Sequence, residues 1–285
     1  MKAELIWNGQ PELTEGPVWH EGALWWVDIT RGTLNRLEPG GGRLETRGIG
    51  ETLGAAVPAA DGRWVCAGRT AVHAFDWDSG ALETRASLEN QAEYIRFNDG
   101  KTDPAGRFWC GTLGMGGKRE AGAFYRLDGG ALAPIFERVS VSNGLAWNAA
   151  ADRMFYIDSP TRRVDVLDYD HAAGTVANRR PLVEIPEERG APDGMCIDHD
   201  DNLWVAHWGG HAVHCYHGTS GELLATVEVG SRHVSSCCFG GANGDELYIT
   251  AACDLGGRLE SPCEGGGVYV ARPGVSGPPV TLAKL

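Results

Sequence analysis

One aromatic position recurs along this chain like a marker. Trp26, Trp64, Trp109, Tyr156, Trp204 and Tyr248 each stand inside a short apolar run, at successive spacings of 38, 45, 47, 48 and 44 residues. A self-similar period near 44 residues, with about four apolar runs in each, is that of a propeller blade. The runs are short and are broken by Asp-Gly, Asn-Gly, Gly-Gly and Pro, with almost no helical spacing, so the chain is predicted to be all-β. Six markers predict a six-bladed β-propeller of four-stranded blades, forming one domain over residues 1–285. The first marker comes only 26 residues in, so Ala3–Trp7 is expected to complete the last blade. Pro279–Leu282 is expected to pair nearby and close the ring by joining both ends.

The most complete repeat runs from Ala191 to Ala206: an acidic residue before Gly, an apolar run, a polar turn at His199–Asn202, and a second apolar run. It reads as a β-hairpin with a carboxylate at its head. Eleven residues before the marker stand Glu15 (before Gly16), Asn98 (before Asp99-Gly100) and Asp193 (before Gly194). In the fourth repeat the turn is longer by two, and Asn143, before Gly144, lies thirteen back. Leu53-Gly54 and Cys237 hold the slot in the second and sixth repeats. A single Asp or Asn before Gly is turn chemistry first. Four at one repeat position, arranged radially, would aim four polar side chains at one axis.

Asp28, Asp61, Asp76, Asp103, Asp158, Asp198 and Asp200 read as turn or strand-end residues. His207, His211, His214 and His217 have spacings that would suit zinc on a helix. Gly209-Gly210 and the strand pattern assign them to blade edges instead. His207, with Trp208 just past an inner strand, is the exception and a candidate to line a substrate pocket.

A net charge of −13 argues against nucleic acid and anionic membrane as partners, since both need basic patches. No apolar stretch approaches the ~18 to 20 residues of a membrane-spanning helix. The N-terminus, Met1 to Asn8, lacks the apolar core of a signal peptide. A cytoplasmic location is expected, with the oligomeric state left open. None of the eight Cys is spaced as CxxC, and several sit in strand-like runs, so free buried thiols are expected. Cys237 and Cys238, neighbours in a strand, should point to opposite faces.

Four spaced motifs carry a resemblance: Leu-Thr-Glu-Gly-Pro-Val-Trp (13–19), Arg-Phe-Asn-Asp-Gly-Lys-Thr-Asp-Pro-Ala-Gly-Arg (96–107), Val-Ser-Asn-Gly-Leu-Ala-Trp (141–147) and Pro-Asp-Gly-Met-Cys-Ile-Asp (192–198). Asp-Tyr-Asp (168–170), Asn-Arg-Arg (178–180) and Ser-Ser-Cys-Cys-Phe-Gly-Gly (235–241) extend it, so that it covers about Glu12 to Val270. In these the chain resembles the regucalcin (senescence marker protein) and gluconolactonase family of sugar lactonases. The resemblance implies a six-bladed propeller with one divalent metal ion on its axis, hydrolysing a sugar lactone. Carried over by position, Glu15, Asn143 and Asp193 match the metal ligands, and Arg96 and Asn98 the substrate-contacting Arg and Asn. Asp99 matches a neighbouring motif Asp with no assigned role. After Gly111-Thr112-Leu113 the likeness breaks: an acid-rich segment that contacts sugar in the animal proteins is replaced by Gly114-Met-Gly-Gly-Lys118, with Glu120 the one acid nearby.

The donor set agrees with that assignment. Two carboxylates and an amide oxygen are hard ligands, suited to Ca²⁺, Mg²⁺, Mn²⁺ or Zn²⁺ with positions left for water and substrate. A dication there would polarise the lactone carbonyl, lower the pKa of bound water, or both. Asp193 is the candidate base, with metal-bound hydroxide alone as the other possibility, and Arg96 and Asn98 would hold sugar hydroxyls. Two alternatives stand beside the lactonase. One is a non-catalytic calcium-binding or docking propeller, which has no reason to put Glu, Asn, Asn and Asp on its axis. The other is a hydrolase of organophosphates or of other lactones, whose structural calcium would need a second axial acid cluster that the sequence lacks.

Overall fold

The computed structural model describes residues 1–9, 11–253 and 266–285. Its described residues form 24 β-strands and two short 3-10 turns. Strand β1 (Glu4–Trp7) stands apart from the first sheet, which is β2 (Thr14–His20), β3 (Ala23–Asp28), β4 (Thr33–Leu37) and β5 (Leu44–Gly48). The second is β6 (Ala55–Pro58), β7 (Trp64–Ala67), β8 (Ala71–Phe75) and β9 (Leu82–Ser87). The third is β10 (Ile95–Thr102), β11 (Phe108–Gly114), β12 (Gly122–Asp128) and β13 (Ala131–Val139). The fourth is β14 (Ser142–Trp147), β15 (Arg153–Asp158), β16 (Arg163–Asp170) and β17 (Thr175–Glu184).

The remaining strands form one eight-stranded sheet, made of two four-stranded units that meet at the single pair Trp208–His233. One unit is β18 (Ala191–Ile197), β19 (Leu203–Trp208), β20 (Ala212–Tyr216) and β21 (Leu223–Glu228). The other is β22 (His233–Gly240), β23 (Glu246–Ala252), β24 (Gly267–Ala271) and, antiparallel to β24, the N-terminal β1. The first strand of each unit packs on the first strand of the next, β2 on β6 and onward, and β22 packs back on β2.

The aromatic markers lie in the second strand of each unit and are buried, four of them completely. They fill the space between neighbouring sheets: Trp25 meets Trp64 at 4.4 Å between ring centroids, and Trp204 meets Phe239 at 5.8 Å. Side chains of this size bury about 150–250 Å² each, worth roughly 4–6 kcal/mol apiece by area. Two markers are also tied to the turn before them. The Asp103 carboxylate accepts from the amides of Ala105 and Arg107 and from Trp109 Nε1, each at 2.9 Å. Asp198 likewise accepts from Asn202 N at 2.8 Å and Trp204 Nε1 at 3.0 Å. These acids are turn residues, as the sequence implied. Asp28 and Asp158, at strand ends, instead accept the backbone amides leading into β2 and β14.

The C-terminal tail departs from expectation. Residues 279–282 form no strand and do not pair beside β1. The tail crosses to the second and third sheets, where Ala283 pairs with Ala59 and Lys284 N donates to the Gly106 carbonyl. A Pro-rich segment lacks the amides for a regular ladder and is held at single points.

The cysteines also depart in part. Cys66, Cys110, Cys196, Cys215 and Cys237 are free and buried, and Cys238 is free but partly exposed. Cys253 is disulfide-bonded, against the expectation of free thiols throughout. Cys263 lies outside the described residues. Cys237 and Cys238 do face opposite ways, into two different core clusters.

Candidate metal centre and active site

In five of the six units the first strand slips register against the second, at the slot residue in four of them and, in the first, just after Glu15, which stays paired with Val27. It falls between Glu15 and Val18, at Asn98 between Phe97 and Asp99, and at Asn143 between Ser142 and Leu145. It recurs at Asp193 between Pro192 and Met195, and at Ser235 between Val234 and Ser236. A bulge leaves a residue out of the ladder and re-aims its side chain. The second unit has no slip, so Leu53-Gly54 makes no such projection. In the sixth unit the bulged residue is Ser235, not Cys237. Cys238 lies opposite its marker at ten residues' separation, whereas Cys196 lies eight from Trp204, so counting eleven back from the marker stops two residues short.

Gly144 and Gly194, which follow two of the slots, are packing residues within strands. A Cβ on Gly144 would sit 2.7 Å from the Asp193 carbonyl oxygen, and one on Gly194 would sit 2.1 Å from Ser236 Oγ. Neighbouring first strands therefore approach too closely for any side chain there. Gly16 differs, with φ +50°, where a left-handed backbone favours glycine.

Glu15, Asp99 and Asp193 are buried and act on one another electrostatically. Burial pushes the Glu15 carboxyl well above its ordinary range, and Asp193 and then Asp99 push it further. Asp193 is likewise raised well above its range, by burial and by Asp99, against the lowering pull of Arg96 and the Gly194 amide. Asp99 is raised by burial while Lys101 lowers it. Lys101 Nζ donates to the Met195 carbonyl at 2.6 Å, tying β10 to β18. The Arg96 guanidinium is held down to about 10 by burial, partly offset by Glu15 and Asp193.

A chain of hydrogen bonds joins these groups to the amides. Arg96 Nη1 donates to Asn98 Oδ1 at 2.7 Å and to the Phe97 carbonyl at 2.9 Å. Asn98 Nδ2 donates to the Ser142 carbonyl at 2.8 Å and to Asn143 Oδ1 at 3.0 Å. Asn143 Nδ2 donates to Ser159 Oγ at 2.7 Å. The structure thus brings together Glu15, Arg96, Asn98, Asn143 and Asp193, and adds Asp99 and Ser159. The sequence left Asp99 without a role and gave no sign of Ser159, which comes from the 3-10 turn Ser159–Thr161 after β15.

His207 does not join them. It is fully buried within its own sheet, with Nδ1 at 2.9 Å from the Arg189 carbonyl and Nε2 at 3.3 Å from the Tyr216 hydroxyl. Burial and the neighbouring His214 hold its pKa down to about 3. It is a neutral core histidine, and the expectation that it lines a pocket is corrected. Glu120 is engaged elsewhere, in an exposed ion pair with Arg138.

Among the described residues no three His, Cys, Asp or Glu side chains gather as a metal cluster, so a cation here would rest on two carboxylates and an amide oxygen. The donor set fits one. The described donor to Glu15 is the Gly16 amide at Oε2, 2.6 Å away, which leaves Oε1 open. Asn143 Oδ1 has spent one lone pair on Asn98 and keeps another. Buried carboxylates pushed toward neutrality are the electrostatic state that a bound dication relieves.

Comparison with known proteins places the chain in a family. A family model described as SMP-30/Gluconolactonase/LRE-like region matches residues 13–253. Regucalcin of Danio rerio is 36% identical over 257 residues, 88% of this chain and 87% of that protein. A putative sugar lactone lactonase of Bacillus subtilis (strain 168) is 33% identical over 272 residues, 93% of each chain. The solved structure of a luciferin-regenerating enzyme superposes with a TM-score of 0.91 at 31% identity, covering 99% of both chains.

Proposed function

This chain belongs to the SMP-30/gluconolactonase/LRE-like family, and on that premise we propose that it is a divalent-metal-dependent lactonase that opens a sugar lactone to the aldonic acid. The observation that carries the proposal is the convergence of buried Glu15 and Asp193 on Arg96, joined through Asn98 to Asn143. We propose further that the six units are the blades of one closed propeller domain over residues 1–285. The cyclic contacts of the first strands and the β1–β24 pairing support that architecture. The described residues contain no helix long and apolar enough to cross a membrane. Among the described residues six free thiols favour a cytoplasmic location, against the disulfide at Cys253.

In this mechanism Glu15, Asn143 and Asp193 hold the ion, which is Ca²⁺, Mg²⁺, Mn²⁺ or Zn²⁺ by donor chemistry. When bound there, the ion supplies Lewis acidity toward the lactone carbonyl. Asp193 accepts the proton of the attacking water at a carboxylate oxygen. Water adds to the carbonyl carbon, and collapse of the tetrahedral adduct breaks the bond to the ring oxygen, which leaves as the alcohol by taking the proton that Asp193 accepted. Arg96 donates to the sugar hydroxyls and to the developing oxyanion. Asn98 has both Nδ2 hydrogens committed, so toward substrate it acts only as an acceptor, at Oδ1.

The test is a screen of aldonolactones, with acid release followed by a pH indicator, with and without EDTA. Hydrolysis of at least one lactone that EDTA abolishes is expected. Metal binding without hydrolysis of any lactone would favour the non-catalytic calcium-binding alternative.

A further inference from the structure

Amide ligands have a weakness that carboxylates lack: one end coordinates a cation and the other repels it. Something must decide which end of Asn143 faces the site. The Ser142 carbonyl oxygen can only accept, so the Asn98 atom 2.8 Å from it is the donor Nδ2. The same Nδ2 lies 3.0 Å from Asn143, which must therefore present its oxygen. That turns Asn143 Nδ2 toward Ser159 Oγ, at 2.7 Å. Asn98 alone would leave the amide free to swing about one contact. With Ser159, both ends are held.

Ser159 is itself firmly placed. Its amide donates to the Val141 carbonyl at 3.1 Å, and its carbonyl accepts from Arg162 N at 3.0 Å. Asp158, just before it, accepts the amides of Ser140 and Val141 at 3.1 and 2.8 Å. Thr161 Oγ1 closes the turn on the Asp158 carbonyl at 2.7 Å, and Pro160 stiffens it. The turn is thus stapled to the same residues that lead into Asn143.

We propose that Ser159 is a positioning residue that fixes the Asn143 carboxamide with its oxygen toward the metal. This rests on the metal site proposed above. Outer hydrogen-bond partners of metal ligands are worth about 10- to 100-fold in metal affinity.

The experiment compares Mn²⁺ affinity by calorimetry in the full chain and its variants, with near-UV circular dichroism confirming the fold. Ser159→Thr and Ser159→Val are isosteric and differ only in the hydroxyl. Thr is expected to bind Mn²⁺ within about threefold of the unaltered chain and Val at least about 10-fold more weakly. A carboxylate presents an oxygen in either orientation, so in an Asn143→Asp background the Thr and Val variants should agree within about twofold. Equal affinity of the two variants in the Asn143 chain, or an equal loss in both backgrounds, would overturn the positioning role. Failure of the metal site itself looks different: the unaltered chain would take up no Mn²⁺, or Asp193→Ala would bind it as well, and the role of Ser159 would fall with it.

Discussion

Asn98 donates Nδ2–H to Asn143 Oδ1 across 3.0 Å, which links the slot of the third sheet directly to that of the fourth. The residue expected to touch substrate therefore also holds a residue expected to touch metal. Asn98→Ala should weaken Mn²⁺ binding by about 10-fold and lower kcat/KM as well. Calorimetry beside lactone kinetics checks this. A variant with normal metal affinity and a raised KM alone would return Asn98 to a purely substrate-binding role.

Arg96 should separate from the ligands. It cannot coordinate a cation, and its removal relieves repulsion on the ion while letting the Asp193 pKa rise further; these effects oppose each other. Arg96→Ala is expected to keep metal affinity within about threefold and to lose 10- to 1000-fold in kcat/KM, about 1.4 to 4 kcal/mol of transition-state contact. Glu15→Ala should lose metal first and activity with it. Equal losses of metal in the two variants would contradict the division of roles.

The raised carboxyls set a pH dependence. Glu15 and Asp193 have folded pKa values above their unfolded ones, so the metal-free folded chain binds more protons than the unfolded chain in that window. Its stability is then lost as pH rises from about 4 through the raised values. A bound cation restores the ionised forms. The increase in Tm on adding a divalent ion should therefore grow from about pH 4 upward and level off above the raised values. An increment largest at low pH would mean that these carboxylates do not hold the ion.

His207 offers a structural contrast. His207→Ala removes a fully buried ring and contacts to the Arg189 carbonyl and the Tyr216 hydroxyl. It should cost about 2 to 4 kcal/mol of stability. In the folded fraction kcat/KM should stay within about twofold. A selective loss of kcat/KM with unchanged Tm would put His207 back in the site.

Much of the architecture was legible because its cause repeats. The marker aromatics are buried in the gaps between neighbouring sheets, and Asn143 and Asp193 each stand before a glycine that lets the next first strand approach. What was not legible comes from contacts that do not repeat. Ser159 reaches Asn143 from a turn sixteen residues on, and no spacing in the sequence marks it. Ser235 was missed for Cys237 because a longer turn breaks the count from Tyr248. His207 was misjudged because its place at a strand's end suggested a mouth, while its ring nitrogens are satisfied inside the sheet. The tail has no periodicity at all, so its path to Ala59 and Gly106 could not be read.

The central claim is that one divalent ion, held by Glu15, Asn143 and Asp193, is required for turnover. It is tested most directly by stripping the protein with a chelator, removing the chelator, and titrating Mn²⁺ back while following hydrolysis of a lactone found in the screen. Activity should start near zero, rise in proportion to added metal, and saturate at one equivalent per chain. Asp193→Ala should stay at least about 10³-fold below the unaltered chain throughout. Full turnover in the stripped protein, or saturation that Asp193→Ala reproduces, would contradict the account.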